Sequence, residues 1–175
     1  MIQYHVLKED QVHKLQEIDR SEFIDLIYEM HDGQLTEIKA GHECSTWDAD
    51  VLDEIQERFV YEIRHDGLAL GAFDGETLVG FGVLAHQFRG ESKDQLQIDL
   101  MYVSRNYRRQ GIGTHIMNEL SNEARRRGAK SLYISSTETE SAVSFYQSQG
   151  GRITDTVDPE LYRKEPLDIH MMKKL

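Results

Sequence analysis

Cysteine, proline and long apolar runs are scarce in this sequence, and each scarcity excludes a class of protein. The 175 residues include two prolines and a single cysteine, Cys44, which has no partner for an internal disulfide. Disulfide-stabilised secreted domains are therefore excluded, and we expect a reducing, cytoplasmic environment in which Cys44 is an inert thiol. No apolar stretch approaches the ~18 residues of a membrane-spanning helix. The first ten residues also lack the pattern of a secretory signal peptide.

Basic residues are scarce in the first third of the chain. Residues 1–60 contain 15 acidic and five basic side chains, whereas residues 61–175 contain 16 and 15. The formal net charge of −11 therefore comes almost entirely from one region. An acidic surface repels phosphate backbones and anionic lipids, so we expect neither nucleic acid nor a membrane as a partner. This region would attract a cationic substrate if it lines the substrate site.

The pattern of apolar residues predicts one mixed α/β domain over residues 1–175. Strands are predicted over residues 3–7, 68–73, 78–85, 96–103, 131–135, 152–156 and 168–173. Helices are predicted over residues 10–18 and 112–127, and further helices are predicted to begin near residues 22, 48 and 140. This order favours a central mixed sheet of about six to seven strands flanked by helices, with one βαβ unit at its centre.

The stretch that follows the first predicted helix predicts a second one. Asp19-Arg20-Ser21-Glu22 has the form of a capping box, and the apolar residues after it have helical spacing. In that helix Glu22, Asp25 and Glu29 would share one face, either as solvated surface or as an acidic lip for a cationic substrate. Asp32-Gly33 predicts a turn, and residues 34–47 have no clear assignment.

A predicted strand, a basic turn and two glycines precede the helix in the middle of the chain. Gly111 and Gly113 allow backbone N–H groups to approach a ligand closely, and the first N–H groups of a helix have no internal partner. Together with Arg108 and Arg109, these donors predict a phosphate-binding site. A dinucleotide-binding turn would need a third glycine where Ile116 stands, and the lysine of a P-loop is absent.

Two motifs resemble signatures of the GNAT superfamily of N-acetyltransferases. Arg108-x-x-Gly111-x-Gly113 is similar to Q/R-x-x-G-x-G/A, which holds the pyrophosphate of acetyl-coenzyme A in that superfamily. The helix with Ala142, Tyr146 and Gly150 is similar to N-x-x-A-x-x-x-Y-x-x-x-G, with Thr139 in place of the asparagine. The predicted order of elements resembles the GNAT fold from residue 3 to residue 173.

The resemblance implies acetyl-coenzyme A as cosubstrate, no metal ion and a set of coenzyme contacts. The implied contacts are Met101, Tyr102, Val103, Arg108, Arg109, Gln110, Gly111, Ile112, Gly113, Thr114 and Thr139. The first three would act through backbone groups that bind the pantetheine arm and polarise the thioester carbonyl. Many members of the superfamily are dimers, so a homodimer is compatible with the resemblance.

Acetyl transfer to an amine needs one group that removes a proton and another that protonates the leaving thiolate. Asp99 aligns with a strand position where many GNAT enzymes carry a carboxylate base, although it also suits a simple polar strand residue, and Glu138 and His86 are weaker alternatives. Ile98 and Leu100 are expected on one face of this strand and Asp99 on the other. Tyr146, whose phenol is protonated at neutral pH, is the implied general acid, unless it is an ordinary half-buried tyrosine.

The sequence therefore predicts an N-acetyltransferase for the primary amine of a small cationic acceptor. Polyamines, aminoglycoside-like or streptothricin-like antibiotics are acceptors of this kind. The candidate acceptor contacts are Glu22, Asp25, Glu29 and Glu138. Two alternatives stay open: an acyl-coenzyme A sensor without turnover, and an acetyltransferase for protein lysines or N-termini. Acceptor loops vary in this fold, and residues 34–47, 86–94 and 156–167 are the segments with the least clear assignment.

Overall fold

The computed structural model describes all 175 residues, which form a seven-stranded sheet, a separate two-stranded hairpin and four α-helices. The strands are β1 (Ile2–Val6), β2 (Glu22–His31), β3 (Gln34–Cys44), β4 (Leu68–Asp74), β5 (Thr77–Leu84), β6 (Gln95–Val103), β7 (Ser131–Ser136), β8 (Gly151–Ile153) and β9 (Ile169–Lys174). The α-helices are α1 (Ala49–Arg64), α2 (Ile112–Arg126), α3 (Glu140–Ser148) and α4 (Pro159–Lys164). Short 3₁₀ helices span Glu9–Glu17 and Arg105–Tyr107. None of the helices combines the length and apolar character that crossing a membrane requires.

The large sheet has the strand order β1-β4-β5-β6-β7-β9-β8. Every neighbouring pair is antiparallel except β6 and β7, which are parallel. A parallel pair needs a long crossover connection, and α2 provides it. The predicted mixed sheet of six to seven strands around one βαβ unit is therefore confirmed.

Two hydrophobic cores cover the two faces of the large sheet. We call the first the α2–α3 core, in which Ile112, Ile116 and Leu120 are almost completely buried, as the predicted apolar stripe of α2 requires. The second, the α1 core, lies under α1 and the first 3₁₀ helix and buries Ile55 and Phe59. Both faces of the large sheet are therefore covered by packed apolar side chains, as in other layered α/β folds.

β5 contains two glycines because α2 packs directly on it. A Cβ atom at Gly82 would lie 2.7 Å from Ile116 Cγ2 and 2.9 Å from Leu120 Cδ1. A Cβ atom at Gly80 would lie 3.1 Å from Ile112 Cγ2. This close approach sets the position of the helix that begins at the glycine turn.

Residues 22–44 form the β2–β3 hairpin, so the predicted second helix is wrong. Both residues of Asp32-Gly33 have positive φ, 52° and 77°, as in the two-residue type I′ turns of hairpins. Such a turn matches the twist of two paired strands and therefore favours a hairpin. Ile24, Leu26 and Tyr28 are buried or half-buried at every second position, which is the period of a strand.

The hairpin is attached to the start of α3. The Tyr28 N–H donates to the Glu138 carbonyl oxygen at 2.7 Å, and Ile27 forms an isolated bridge with Thr139. The Ser141 hydroxyl donates to the Glu22 carboxylate at 2.7 Å. These contacts hold β2 beside α3, where it forms one wall of the cleft described below.

Three α-helices begin at capping side chains. Asp48 accepts the Val51 N–H at 2.9 Å and caps α1, which begins where a helix was predicted near residue 48. Thr139 caps α3, which begins where a helix was predicted near residue 140. Asp158 caps α4, which begins with a proline and occupies a predicted loop. Smaller corrections are the 3₁₀ form of residues 9–17 and the short strand at 151–153.

Gly82→Ala is expected to destabilise the fold more than Gly80→Ala. The added methyl group at residue 82 would overlap two buried α2 side chains, and overpacking of this kind costs about 1–3 kcal/mol. Thermal unfolding followed by circular dichroism should show a midpoint lowered by roughly 3–10 °C for Gly82→Ala. Gly80→Ala is the matched control, because its methyl group meets no atom closer than 3.1 Å. A larger loss for Gly80→Ala would contradict this packing.

Candidate active site

β6 and β7 separate beyond Ile98. Their parallel pairing ends at the pair Ile98–Ile134, although β6 continues to Val103 and β7 continues to Ser136. Beyond Ile98, the backbone groups of β6 that face away from β5 therefore have no partner on β7. Unpaired strand edges bind extended ligands through main-chain hydrogen bonds, so this opening suits a long, thin molecule.

A β-bulge at Asp99 accompanies the separation. Leu84 pairs with Ile98 and Val83 pairs with Leu100, so Asp99 has no partner on β5. The extra residue changes which side chains face each core. Ile98 packs in the α2–α3 core, whereas Leu100 packs in the α1 core on the opposite face of the sheet. The prediction that Ile98 and Leu100 share one face is therefore wrong, since the alternation of a strand changes phase at a bulge.

The opening lies within a cleft of about 1820 Å³. One end of the cleft is the glycine turn, which follows β6. The other end, which we call the far end, lies at Asp99 and is lined by α1, α4 and Asp168. At ~3.3 Å per residue, the stretch of β6 from Asp99 to Val103 separates the two ends by about 13 Å. The cleft is therefore long enough to hold two different chemical groups at its two ends.

The glycine turn presents a continuous row of free backbone donors. The six N–H groups from Arg109 to Thr114 have no acceptor within the protein. Arg109 and Gly111 have positive φ, 62° and 85°, which curves the backbone before α2 begins. Such a concave row of N–H groups at a helix N-terminus binds phosphate oxygens. The donors present therefore fit the pyrophosphate of a coenzyme, and Ile112, Gly113 and Thr114 line the cleft beside them.

Arg108 binds protein rather than projecting freely into the cleft. Its guanidinium donates to the carbonyl oxygens of Val103 at 2.9 Å, Ser21 at 2.9 Å and Asp19 at 3.3 Å. It also lies 3.6 Å from the Glu22 carboxylate. One signature side chain therefore ties the end of β6 to the start of β2, and the phosphate-binding capacity of the turn comes from its backbone.

The other predicted coenzyme contacts have different surroundings. Arg109 lines the cleft and makes no hydrogen bond or ion pair, whereas Gln110 lies outside the cleft and donates to the Asn106 carbonyl oxygen. The Thr139 hydroxyl accepts the Ala142 N–H at 3.4 Å as the cap of α3, although Thr139 also lines the cleft. Met101, Tyr102 and Val103 lie on the part of β6 that has separated from β7, so the edge of the strand that faces away from β5 is open there, although the Val103 carbonyl oxygen accepts from Arg108.

Tyr146 and Tyr102 lie in the cleft with free hydroxyl groups. Tyr146 is 8% exposed, and its phenol has no hydrogen-bond partner in the protein. Burial raises the pKa of Tyr146, and the neighbouring Tyr102 and Asp168 add to the rise. Burial likewise raises the pKa of Tyr102, which packs edge-to-face on Trp47. Both phenols therefore hold their protons at neutral pH, and Tyr146 can donate its proton to a thiolate formed in the cleft.

Asp99 forms an ion pair with Arg58 of α1. The Arg58 Nη2 atom lies 2.9 Å from Asp99 Oδ1 and also donates to the Asp99 carbonyl oxygen at 2.9 Å. The Asp99 side chain is only 12% exposed. One carboxylate oxygen is therefore engaged by a guanidinium, a partner that sequence patterns did not indicate because it belongs to a helix 41 residues away in sequence.

Asp168 is a cleft residue that sequence analysis missed. It directly precedes β9, and the Ser135 hydroxyl donates to its Oδ2 atom at 2.8 Å. Burial raises the pKa of the Asp168 carboxyl to about 7, against the hydrogen bond from Ser135 and with a contribution from Glu165. No motif marks this residue, because it enters the cleft only through the pairing of β9 with β7.

The predicted acidic residues are divided between the cleft and the outer surface. Glu22 and Asp25 line the cleft, although Glu22 is held by Ser141. Glu29 lies outside the cleft and pairs with His31, and the Glu138 side chain does not line it. The common helical face expected for Glu22, Asp25 and Glu29 does not exist, because these residues belong to a strand.

The far end of the cleft is acidic. Its basic side chains are all paired: Arg58 with Asp99, Arg89 with Asp158 and Glu160, and Lys164 with Glu160. Four carboxylates there have no cationic partner: Glu54, Glu57, Glu165 and Asp168. His86 also lines this end, where its Nδ1 atom lies 2.8 Å from the buried Glu62 carboxylate. The uncompensated charge favours a cation at this end. No group of three or more His, Cys, Asp or Glu side chains is arranged to hold a metal ion.

Comparisons with known proteins agree with this geometry. The sequence model of the Acetyltransferase (GNAT) family matches residues 24–150. The chain is 30% identical over 121 residues to N-alpha-acetyltransferase 50 of Danio rerio. The aligned stretch covers 67% of this chain and 71% of that protein.

Solved structures share the fold. A nourseothricin acetyltransferase superposes with a TM-score of 0.73 at 18% identity, covering 99% of this chain and 98% of that one. The PaiA N-acetyltransferase of Thermoplasma acidophilum, in complex with coenzyme A, superposes with a TM-score of 0.66 at 19% identity, covering 100% and 99% of the two chains. Identities this low show a common fold.

Arg108→Lys is expected to destabilise the protein, whereas Arg109→Lys is not. The three carbonyl oxygens are contacted by three different nitrogen atoms of the guanidinium, and the compact ammonium of a lysine cannot span them; losing such hydrogen bonds costs about 1–3 kcal/mol. Thermal unfolding should therefore show a lower midpoint for Arg108→Lys. Arg109→Lys is the matched control, because Arg109 makes no hydrogen bond within the protein. Equal midpoints for the two variants would contradict the structural role of Arg108.

Proposed function

The chain belongs to the GNAT family of N-acetyltransferases, and from this premise we propose that it transfers an acetyl group from acetyl-coenzyme A to the primary amine of a small cationic acceptor. One observation carries the cationic character of the acceptor. At the far end of the cleft four carboxylates lack a cationic partner, whereas all three basic side chains there are neutralised by ion pairs. A polyamine or an antibiotic with several amino groups would supply the missing positive charge.

The two ends of the cleft have separate tasks in this proposal. The free N–H groups from Arg109 to Thr114 hold the pyrophosphate of the coenzyme. The unpaired backbone of β6 from Met101 to Val103 orients the pantetheine arm and donates a hydrogen bond to the thioester carbonyl. Acetyl-coenzyme A supplies the acetyl group as an activated thioester. The far end then positions the amine, which reduces the entropy cost of bringing two substrates together.

Tyr146 is proposed to protonate the departing sulfur. Its phenol has no internal hydrogen bond and lines the cleft, and burial keeps its pKa above the ordinary value for tyrosine. The phenol therefore carries a proton throughout the neutral range, so a proton is available when negative charge develops on the departing sulfur. A sensor without turnover would have no use for a free hydroxyl in this position.

A second candidate acceptor is the N-terminal amine of a peptide. The relative from Danio rerio is named as an N-alpha-acetyltransferase and is 30% identical over 121 residues. A peptide N-terminus is a primary amine, so the same chemistry would apply. The acidic far end favours the small polycation, because an N-terminus brings only one positive charge.

The choice between acceptors can be tested with a thiol-release assay on a panel of amines. The panel contains spermidine, an aminoglycoside, a streptothricin, a monoamine and a peptide with a free N-terminus. We expect the highest kcat/KM for the polycations, with a steep fall between about 0.05 M and about 0.5 M salt as the charges are screened. A preference for the peptide or the monoamine, or for neutral acceptors, would contradict the proposal.

Glu54→Gln/Glu57→Gln is expected to raise the KM of the polycationic acceptor by about 3- to 30-fold at low salt, because each exposed ion pair contributes up to ~1 kcal/mol. The effect should shrink at high salt and should be absent from the KM for acetyl-coenzyme A. Asp50→Asn/Asp53→Asn is the matched control, since it removes the same charge from the same helix outside the cleft. An equal rise in KM for the control variant would show that the effect comes from the overall charge of the protein and not from Glu54 and Glu57.

Tyr146→Phe is expected to lower kcat by about 10²- to 10⁴-fold, the usual contribution of a general acid. Coenzyme A binding measured by calorimetry should be unchanged, because the hydroxyl makes no internal contact. Tyr162→Phe serves as the control, since Tyr162 is exposed and lies outside the cleft. Full activity of Tyr146→Phe would exclude this residue as the acid.

A further inference from the structure

Two carboxylates flank the point where β6 and β7 separate, and their partners differ. Asp99 follows Ile98, the last residue of β6 that pairs with β7, and Arg58 holds the Asp99 carboxylate at 2.9 Å. Ser135 follows Ile134, the last residue of β7 that pairs with β6, and the Ser135 hydroxyl donates to Asp168 at 2.8 Å. One carboxylate is therefore neutralised by a guanidinium, whereas the other has only a neutral donor.

The second carboxylate oxygen of Asp168 is available to a substrate. The hydrogen bond from Ser135 reaches Oδ2, and Oδ1 has no donor within the protein. Oδ1 is accessible to solvent, so it is open to the cleft that Asp168 lines. Asp168 thus offers one anchored and one free oxygen at the far end.

The groups around Asp168 come from every element packed at this position. Burial is the main cause of the raised pKa of the Asp168 carboxyl. Glu165, in the segment after α4, and Glu138, in the turn before α3, raise this pKa further through their negative charge. Arg58 of α1 is the one cation among them, and it is paired with Asp99. Tyr146 and Tyr102 are protonated neighbours on α3 and β6.

We propose that Asp168 is the catalytic residue that binds the ammonium group of the acceptor and accepts its proton before attack. Asp99 then serves as a positioning residue, which holds Arg58 and the bulge of β6. This assignment rests on the proposed amine acceptor but not on its having several charges. The local surroundings leave Asp168 with a pKa of about 7, near the value that suits a proton acceptor at neutral pH.

The proton balance of the reaction is complete with these groups. The ammonium gives one proton to Asp168, and the nitrogen lone pair then forms the C–N bond at the thioester carbonyl carbon. The C–S bond breaks with its electron pair on sulfur, which takes the proton of Tyr146. The nitrogen loses its second proton as the amide forms, and this proton restores Tyr146 through water. Asp168 passes its proton to solvent, so one proton is released per acetyl group transferred.

The first test examines the carboxyl group without any ligand. In protein labelled with carbon-13 at the aspartate carboxyl carbons, the signal missing from Asp168→Asn identifies Asp168. Its titration midpoint should lie near pH 7. A midpoint below about pH 5, close to that of an ordinary aspartate, would overturn the proposal.

The second test uses the most active amine of the acceptor panel. Asp168→Asn should lower kcat/KM about 100-fold or more near neutral pH, and the wild-type kcat/KM should fall tenfold per pH unit below about pH 7 as Asp168 of the free enzyme becomes protonated. The deficit of Asp168→Asn should shrink at least several-fold by about pH 9.5, because a larger fraction of the amine is then already neutral. A deficit that does not change with pH would indicate a structural role and overturn the assignment.

Stability provides a third readout that separates folding from catalysis. Because the carboxyl pKa is raised on folding, the buried group is favourable when protonated and becomes costly as pH rises through about 7. Asp168→Asn should therefore unfold at a higher temperature than the wild type at about pH 8, and the advantage should vanish near pH 4. A variant that is less stable than the wild type at both pH values would overturn the proposed burial of the charge.

Two comparisons keep the conclusions distinct. Asp99→Asn should lose activity but retain the fall in kcat/KM below about pH 7, whereas loss of that fall would assign the proton acceptor to Asp99. If no amine is acetylated by the wild type, the proposed function fails together with this assignment. If amines are acetylated and Asp168→Asn matches the wild type, only the assignment of Asp168 fails.

Discussion

The separation of β6 from β7 is the constraint on which the rest of the site depends. Two parallel strands that remained paired would satisfy each other's backbone groups and leave no room for a ligand. The bulge at Asp99 coincides with the end of this pairing after Ile98 and shifts the phase of β6 between the two cores. The coenzyme opening, the far end of the cleft and the availability of the β6 backbone all follow from this one irregularity.

The same region must also be held rigid, because a strand without a partner on one side loses hydrogen bonds. Arg108 provides part of the compensation by joining the end of β6 to the carbonyl oxygens of Ser21 and Asp19. The hairpin that follows is joined in turn to α3 through Tyr28 and Glu138. A signature arginine that looks like a phosphate ligand in sequence therefore contributes mainly to the frame around the phosphate site.

Sequence patterns succeeded where the physics is local and failed where it is not. The glycine turn, the stripe of α2 and the position of Tyr146 each depend on neighbours within a few turns of one helix, so spacing was sufficient. The β2–β3 hairpin was missed although Asp32-Gly33 is a strong type I′ turn signal, because the apolar residues before it also fit a helical period. Asp168 carried no local signal, since its contact with Ser135 spans 33 residues.

The sequence by itself determined the fold family, the glycine turn before α2 and the helix that carries the candidate acid, because these depend on glycine conformations, helix termini and short spacings. The tertiary structure alone decided which carboxylates face the acceptor and which of them are neutralised. Ion pairs such as Arg58–Asp99 join a helix to a strand across the cleft, and their formation depends on sheet order and on the bulge. The charge that an acceptor meets is therefore a property of the packed elements, which the net charge of the first third only partly reflects.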